Sequence, residues 1–470
     1  MQQKQREKWE NEMVNSLERK LADFTNDLNF DDIPETAITA SKMRILDSVG
    51  VAIAAFEAKP CKIARDLACE VKGTDTAQIW GTGKRSSLED VAFANGVMVR
   101  YLDLNDAWRT KDAHHPSDYL PAILAVSESF ELSGQKFITA LTAAYEIMCR
   151  FTDNVPFNEA GWDQPVTGSI ATALAAGKLM GLERDKLMHS IALAIIPNLS
   201  TYQTRAGELS MWKGCAGPNG ARNGVFAARL AREGMSGPFN AFEGIFGVWN
   251  QTLSGKKFDI NLPDFTSPWD WGIEQTNIKT HAVRDSCQLP IFTAIDLKEK
   301  LNGKKMKSLK IETYKSAWEG AVKDPELWAP KTRETADHSM LFSVACALAD
   351  GKVVPESFEE NRFLDADIIE IIKQCEVDVL DEFSNATPDQ RNCRITATTE
   401  EGEKITAHRI VTLEEIKKGM PKEQVIEKFR ENTVRFYAPK QQDNIVNTVM
   451  DIDNNSNLKS FSDIFKFDQT

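Results

Sequence analysis

Residues 100–118, RYLDLNDAWRTKDAHHPSD, gather side chains that can move protons and hold charge. Asp103, Asp106 and Asp118 can accept protons, His114 and His115 are two of the chain's six histidines, and Arg100 supplies a permanent cation. Carboxylates and imidazoles at this density suit general acid–base chemistry, in which one group takes a proton while another gives one. Three further segments place charges at the ends of predicted elements, where sites usually lie. Residues 210–219 (SMWKGCAGPN) set Lys213 in a loop of small residues before a helix, which can offer an ammonium and helix N-terminal amides to a carboxylate. Residues 279–288 (KTHAVRDSCQ) carry Lys279 and Arg284, and residues 333–339 (RETADHS) carry Asp337 and His338 ahead of another helix.

Taken singly, each group also has a structural reading. Asp103 reads as a helix cap, His115 as a satisfied histidine, Lys213 and Lys279 as surface lysines, and Asp337-His338 as a cap for the helix that follows. Cys215 and Cys287 read as small packing residues. The combination is what points to a site. Two motifs are set aside. Gly81-Thr82-Gly83-Lys84 resembles a phosphate loop, but such a loop needs glycine at position 78, where Gln78 stands. His114-His115 suggests a metal, yet adjacent side chains on a regular element diverge and no second ligand cluster accompanies them, so no metal is expected.

The elements that must position these groups change character near residue 278. Before it the apolar spacing is helical over 43–56, 92–102, 120–132, 137–151, 170–180, 187–196 and 221–230. Many of these runs are rich in Ala and close on Gly, as at Gly181 and Gly234, which predicts tightly approaching helices. Residues 77–80 read as a short strand. From about 305 the pattern alternates: 306–314 reads as a strand, and 393–399 with 404–410 flank a turn at Gly402, a hairpin signal. Helices are expected at 338–348 and 366–375. A helical tail over 413–436 and 443–449 is long enough to need a partner for its apolar face, and its return to the helical part is expected.

At 470 residues, 42% hydrophobic and 27% charged, the chain can bury a large core and is expected to form two domains. It has no run of about eighteen apolar residues. Its first fourteen residues resemble neither a signal nor a transit peptide, so a cytoplasmic protein is expected. A net charge of −13 disfavours nucleic acid and anionic membranes as partners, so the cations that would hold an anionic ligand must converge locally. Eight scattered cysteines without a CxxC pair argue for reduced thiols and against disulfides, zinc or an iron–sulfur cluster.

The blocks SKMRILDSVGVAIAA, ANGVMVRYLDLNDAW, HPSD, AAGKLMGL, SMWKGCAGPNGARNGVFAARLAREGMSGP and RETADHSM together resemble the 2-methylcitrate dehydratase family (MmgE/PrpD), which includes cis-aconitate decarboxylase. The resemblance covers nearly the whole chain, and the pattern through ANG, RYLDLNDAW and HPSD is closer to the dehydratases. It implies a mainly α fold with an α+β second domain: a helical bundle domain containing both chain ends (1–277 and 415–470) and an inserted α+β lid (278–414). It also implies a homodimer, a site between the domains, and catalysis without metal, cluster or organic cofactor. By motif position, His115, Asp103, Lys213 and Lys279 are the expected catalytic residues, and Arg100, Arg284, Asn105, Ser117, Gln164 and Ser286 the expected substrate-binding ones. Gln164 and Ser286 depart from the pattern, since relatives carry histidine in those segments.

The reaction so implied eliminates water from 2-methylcitrate or a closely related tricarboxylate, giving a cis-aconitate-type product. It needs a base, an acid and charge stabilisation. His115 is expected to transfer the proton and Asp103 to orient it or bind the departing hydroxyl. Lys213, Lys279, Arg100 and Arg284 would neutralise the carboxylates. Decarboxylation or epimerisation of a related acid, and a silent organic-acid-binding dimer, are the alternatives.

Overall fold

A computed structural model of the chain describes residues 16–71 and 76–467, so the N-terminal stretch read above for targeting signals lies outside the described residues. Each of the seven helices expected before residue 278 forms; six begin several residues earlier than expected, and the one expected over 120–132 stops at Ser129. Local chemistry sets several starts: Ser87 and Ser133 accept the backbone N–H of Asp90 and Lys136, and Pro165 opens the helix Pro165–Leu179. The helix Glu35–Ala54 is buried almost all round, so it runs through the core instead of lining it.

Small residues let these helices touch. Pro165–Leu179 packs along Ala216–Arg232, and a Cβ placed on Gly224 would sit 2.6 Å from both the Ser169 carbonyl oxygen and the Thr172 Cβ. The helices Leu17–Asp27 and Lys59–Glu70 are among those that escaped the sequence reading. The buried stripe of the second is Pro60, Cys61, Ala64, Arg65 and Ala68, too weakly apolar to register as a period. Residues 81–83 form the turn between the short strands Thr76–Gln78 and Arg85–Ser87.

The alternating region builds a four-stranded sheet in the order Cys375–Val379, Met306–Thr313, Gln390–Thr399, Lys404–Thr412. The first pair is parallel and the other two antiparallel, and Gly402 at φ +85° makes the hairpin turn. Cys393, Ile395 and Ala397 face inward at every second position, and the helix Asp285–Leu301 packs on the last two strands. That helix was not expected. Pro290 interrupts its pattern and removes one backbone hydrogen bond, yet the helix continues to Leu301. Cys375, read as the last residue of a helix, instead opens the strand Cys375–Val379, and that helix stops at Lys373. The first stretch of the tail, 413–436, forms two helices, Leu413–Lys418 and Lys422–Thr433, separated by Gly419 at φ +65° and Pro421, and the second forms Pro439–Met450. No helix among the described residues is long and apolar enough to cross a membrane.

Lys422–Thr433 packs along Glu35–Ala54. From it Lys428 reaches 2.6 Å to the Asp47 carboxylate and donates at 2.8 Å to the carbonyl of Leu104, the neighbour of Asp103. Replacing Lys428 by Met should strand the buried Asp47 carboxylate and lower stability by about 3 kcal/mol, read from urea unfolding of the variant. A change under about 0.5 kcal/mol would show that the pair does not hold the two segments together.

Candidate active site

Arg100 lies in the last turn of the helix Leu88–Tyr101, and the chain turns sharply just beyond it: Asp103 has φ +53°, a left-handed conformation that Asp tolerates better than most residues. Its N–H donates to the Arg100 carbonyl at 3.1 Å, and its carboxylate is gripped from three sides. Arg100 Nη1 lies 2.8 Å from Oδ1, Lys213 Nζ donates to Oδ2 at 3.3 Å, and Lys279 Nζ donates to Oδ1 and, at 2.9 Å, to the Asp103 carbonyl. All four side chains are at most 2% exposed. Burial alone would raise the Asp103 carboxyl, but Arg100, Lys279 and Lys213 together hold it well below the usual carboxylate range. Asp103 is therefore an ionised anchor at neutral pH and has no proton to give.

The surface-lysine reading of Lys213 and Lys279 is thus overturned: both are buried because Asp103 sits between them. Lys213 belongs to the short turn Met211–Gly214, and besides Asp103 it donates to Asp337 Oδ2 at 2.5 Å. Arg333 donates to the same oxygen at 2.9 Å, and the other oxygen of Asp337 lies 2.6 Å from His338 Nδ1. The capping role proposed for Asp337-His338 falls to Ser339, whose Oγ accepts the Phe342 N–H. Asp103, Asp337 and His338 together have the ligand types of a metal site. Lys213, Lys279, Arg100 and Arg333 already occupy those carboxylates, so a dication there would meet four positive charges.

In front of this cluster lies a polar cavity of about 40 Å³. Its wall includes Arg100, Asp103, Arg109, His114, His115, Asp163, Gln164, Tyr202, Arg205, Arg284, Asp285 and His338. Four arginines face three aspartates in the wall, and behind Asp103 stand Lys279 and Lys213, the latter shared with Asp337, so positive charge gathers here inside a chain of net charge −13. Arg284 keeps a buried Nε–H without a hydrogen-bond acceptor among the described residues, and Arg109 Nε has only the Asp285 carboxylate, 3.5 Å away. Such donors are costly unless something fills the cavity that can accept from them.

His115 precedes the turn Pro116–Tyr119 and is held by Nδ1, 2.8 Å from the carbonyl oxygen of Asp106, while its N–H donates to Gln164 Oε1 at 3.0 Å. A carbonyl only accepts, so the proton sits on Nδ1 and Nε2 carries the lone pair. Burial, with Arg100 and Lys279 nearby, pushes the His115 imidazole well below its ordinary range, so it is neutral. No hydrogen bond joins it to Asp103; Asp106 and Gln164 orient it instead. His114 points elsewhere, with Nε2 3.1 Å from the Gln164 carbonyl, and burial lowers it to about 3.

The other expected residues divide. Arg284 and Gln164 line the cavity, Gln164 also donating at 3.1 Å to Asp118. Asn105 and Ser117 lie behind the wall: Asn105 Nδ2 donates to Ser117 Oγ and Asp118, and Ser117 donates to Asp106 at 2.6 Å. Ser286 is buried next to Asp285, and its Oγ has no hydrogen-bond partner among the described residues. Cys215 and Cys287 are buried, and burial pushes both thiols up to about 12, in keeping with packing roles. Sequence reasoning missed Arg109, Asp163, Tyr202, Arg205 and Asp285. Arg109 lay inside the first segment and Asp285 beside Arg284; Tyr202 and Arg205 lie in no motif, on the short turn Tyr202–Arg205, where Arg205 meets Asp163 at 3.2 Å.

Asp103→Asn would leave Arg100, Lys213 and Lys279 buried without their shared counter-charge. A loss of about 3–5 kcal/mol in unfolding free energy is expected, and a loss below 1 kcal/mol would mean the cluster is not electrostatically centred on Asp103.

The chain matches the MmgE/PrpD N-terminal domain over residues 19–261 and the MmgE/PrpD C-terminal domain over residues 286–454. It is 24% identical to the 2-methylcitrate dehydratase of Escherichia coli (strain K12) over 467 residues, covering 93% of this chain and 94% of the relative. It is 26% identical over 440 residues to the 2-methylcitrate dehydratase of Cupriavidus necator, covering 87% and 88% of the two chains. It is also 24% identical over 476 residues to the cis-aconitate decarboxylase of Homo sapiens, covering 94% and 92%. With both domain models matched in order along most of its length, the chain belongs to the MmgE/PrpD family.

Proposed function

We propose that this protein is a lyase that eliminates water from 2-methylcitrate or a closely related tricarboxylate. The observation that carries the reading is the cavity wall: four guanidinium groups, that of Arg284 with an unsatisfied buried Nε–H and that of Arg109 with a long 3.5 Å contact to Asp285, surround a neutral imidazole whose lone pair is free. A polycarboxylate would satisfy those donors and offset the local positive excess, and charge-assisted hydrogen bonds to arginine would fix its orientation. The relatives named 2-methylcitrate dehydratase and cis-aconitate decarboxylase act on acids of this type, which supports a lyase.

In this reading Arg100, Arg109, Arg205 and Arg284 bind the acid's carboxylates. His115 transfers a proton through Nε2. Asp103, kept ionised, sets the cavity's charge and accepts a hydrogen bond from the substrate hydroxyl, while Lys213 and Lys279 keep that carboxylate in place. The cavity as it stands admits roughly three waters by volume, so the acid enters only if a wall moves. Residues 278–414, which contribute Arg284, Asp285 and His338 to that wall, would be the lid that moves over a helical domain built from the rest.

A homodimer completes the proposal. Leu67 (57% exposed), Trp212 and Phe226 (54%) present apolar side chains on neighbouring elements around the Leu88–Tyr101 helix. Exposed apolar groups concentrated this way suit a second copy. Light scattering should give twice the 52.6 kDa chain mass, and Phe226→Glu should shift it toward one chain; a wild-type monomer would remove the dimer.

The test of function is a proton-NMR time course with 2-methylcitrate, citrate, isocitrate and cis-aconitate supplied separately. Collapse of the 2-methylcitrate methyl doublet to the methyl singlet of 2-methylaconitate, whose double bond carries no proton, is expected; loss of carbon dioxide from cis-aconitate would move the protein to decarboxylation, and silence with all four would overturn the reading. With the active acid, His115→Gln should lower kcat by about 10²–10⁴-fold, and a near-normal rate would remove His115 from the chemistry. Arg284→Met should weaken binding by roughly tenfold or more, seen chiefly in KM.

A further inference from the structure

We infer, on the dehydratase reading of the same cavity, that His338 is a second catalytic residue, acting as the base opposite His115 and oriented for it by Asp337. The two histidines are built alike. Each is held by Nδ1, each lines the cavity, and neither Nε2 has a hydrogen-bond partner among the described residues. An ionised carboxylate only accepts, so the proton between His338 and Asp337 lies on Nδ1 and the His338 lone pair is on Nε2. Asp337 cannot swing away: Lys213 and Arg333 hold its second oxygen at 2.5 and 2.9 Å, and its carbonyl accepts the Arg284 N–H at 2.9 Å.

The partners of the two rings differ, and that difference assigns the roles. When His338 takes a proton, the imidazolium lies 2.6 Å from the Asp337 carboxylate and 3.8 Å from that of Asp103. When His115 is protonated, its Nδ1 meets only the Asp106 carbonyl and no carboxylate among the described residues hydrogen-bonds it; Arg100 and Lys279 oppose its charge and Asp103 offsets them only in part, whereas at His338 the single opposing cation, Lys213, is itself paired with Asp337. Protonation is therefore better accommodated at His338, and His115 more readily gives a proton up. Both imidazoles are neutral in the empty site. Binding of a polyanion offsets the arginines and lets His115 take one proton from solvent. In the elimination, His338 Nε2 removes the C–H proton, that C–H electron pair becomes the new C=C bond, and the C–O bond breaks with its pair on oxygen. The departing hydroxide takes the His115 proton and leaves as water. His115 ends neutral, and His338 returns the substrate's proton to solvent as the product leaves.

The experiment uses the full chain with ¹⁵N-labelled histidine, 2-methylcitrate as substrate and propane-1,2,3-tricarboxylate as an unreactive ligand. Long-range ¹H–¹⁵N spectra should show His338 as the Nδ1–H tautomer, and the inert acid should shift the Nε2 signals of both His338 and His115. Asp337→Asn should move the His338 proton toward Nε2 in the same spectra. His338→Gln should lower kcat on 2-methylcitrate by about 10²–10⁴-fold with KM changed less than about fivefold, and free imidazole should partly restore the rate of a folded His338→Ala. A His338→Gln enzyme within threefold of wild-type kcat, or an inert acid that shifts His115 alone, overturns the role of His338 and leaves the dehydratase reading standing. No shift at either histidine and no turnover of any acid by the wild type overturn both.

Discussion

Everything at this site depends on one buried carboxylate. Asp103 is the common counter-ion of Arg100, Lys213 and Lys279, three cations that come from the end of one helix, a turn before another and the approach to a third. Removing any of them from water is costly, and their mutual attraction offsets that cost only while all partners stay in register. The cluster is thus a clamp on distant segments as much as a charge pattern. It explains why lysines that read as surface residues are buried, and why Asp103 occupies a left-handed turn.

The clamp extends outward through shared partners. Lys213 links Asp103 to Asp337, Asp337 positions His338, and the Asp337 carbonyl receives the N–H of Arg284 at the start of the helix Asp285–Leu301. On the opposite side Lys428, from near the end of the chain, fixes the carbonyl of Leu104 and pairs with Asp47 of the central helix. Gln164 serves both His115 and Asp118. His115 and Asp118 thus share the two ends of one amide, which accepts at Oε1 and donates at Nε2. No feature of the structure assigns Ser286 a comparable contact.

Much of the helical part was legible because its elements are long and periodic, and Ala and Gly at the contacts give close packing a visible signature. The sheet hairpin at Gly402 was equally plain. The helix Asp285–Leu301 was hidden by Pro290, and the Lys59–Glu70 helix by a buried face of small residues. At the site, residue density found His115, Asp103 and Arg100, and motif position found Lys213 and Lys279. What sequence could not supply was direction. Tyr202 and Arg205 carry no local signal and join the wall only because their turn folds onto Asp163 and Arg284. Asn105 and Ser117 stand in the densest motif yet support the wall from behind.

The central claim is that cationic groups converge on neutral histidines to receive a polyanion. The most direct test is the proton balance of binding, measured at pH 7 by titration calorimetry of propane-1,2,3-tricarboxylate in two buffers of different ionisation enthalpy. Neutral imidazoles facing an arriving polyanion should take up about one proton, so the observed enthalpy should differ between buffers in that sense, and the difference should shrink in His115→Gln. Binding with no buffer dependence, or with proton release, would contradict it.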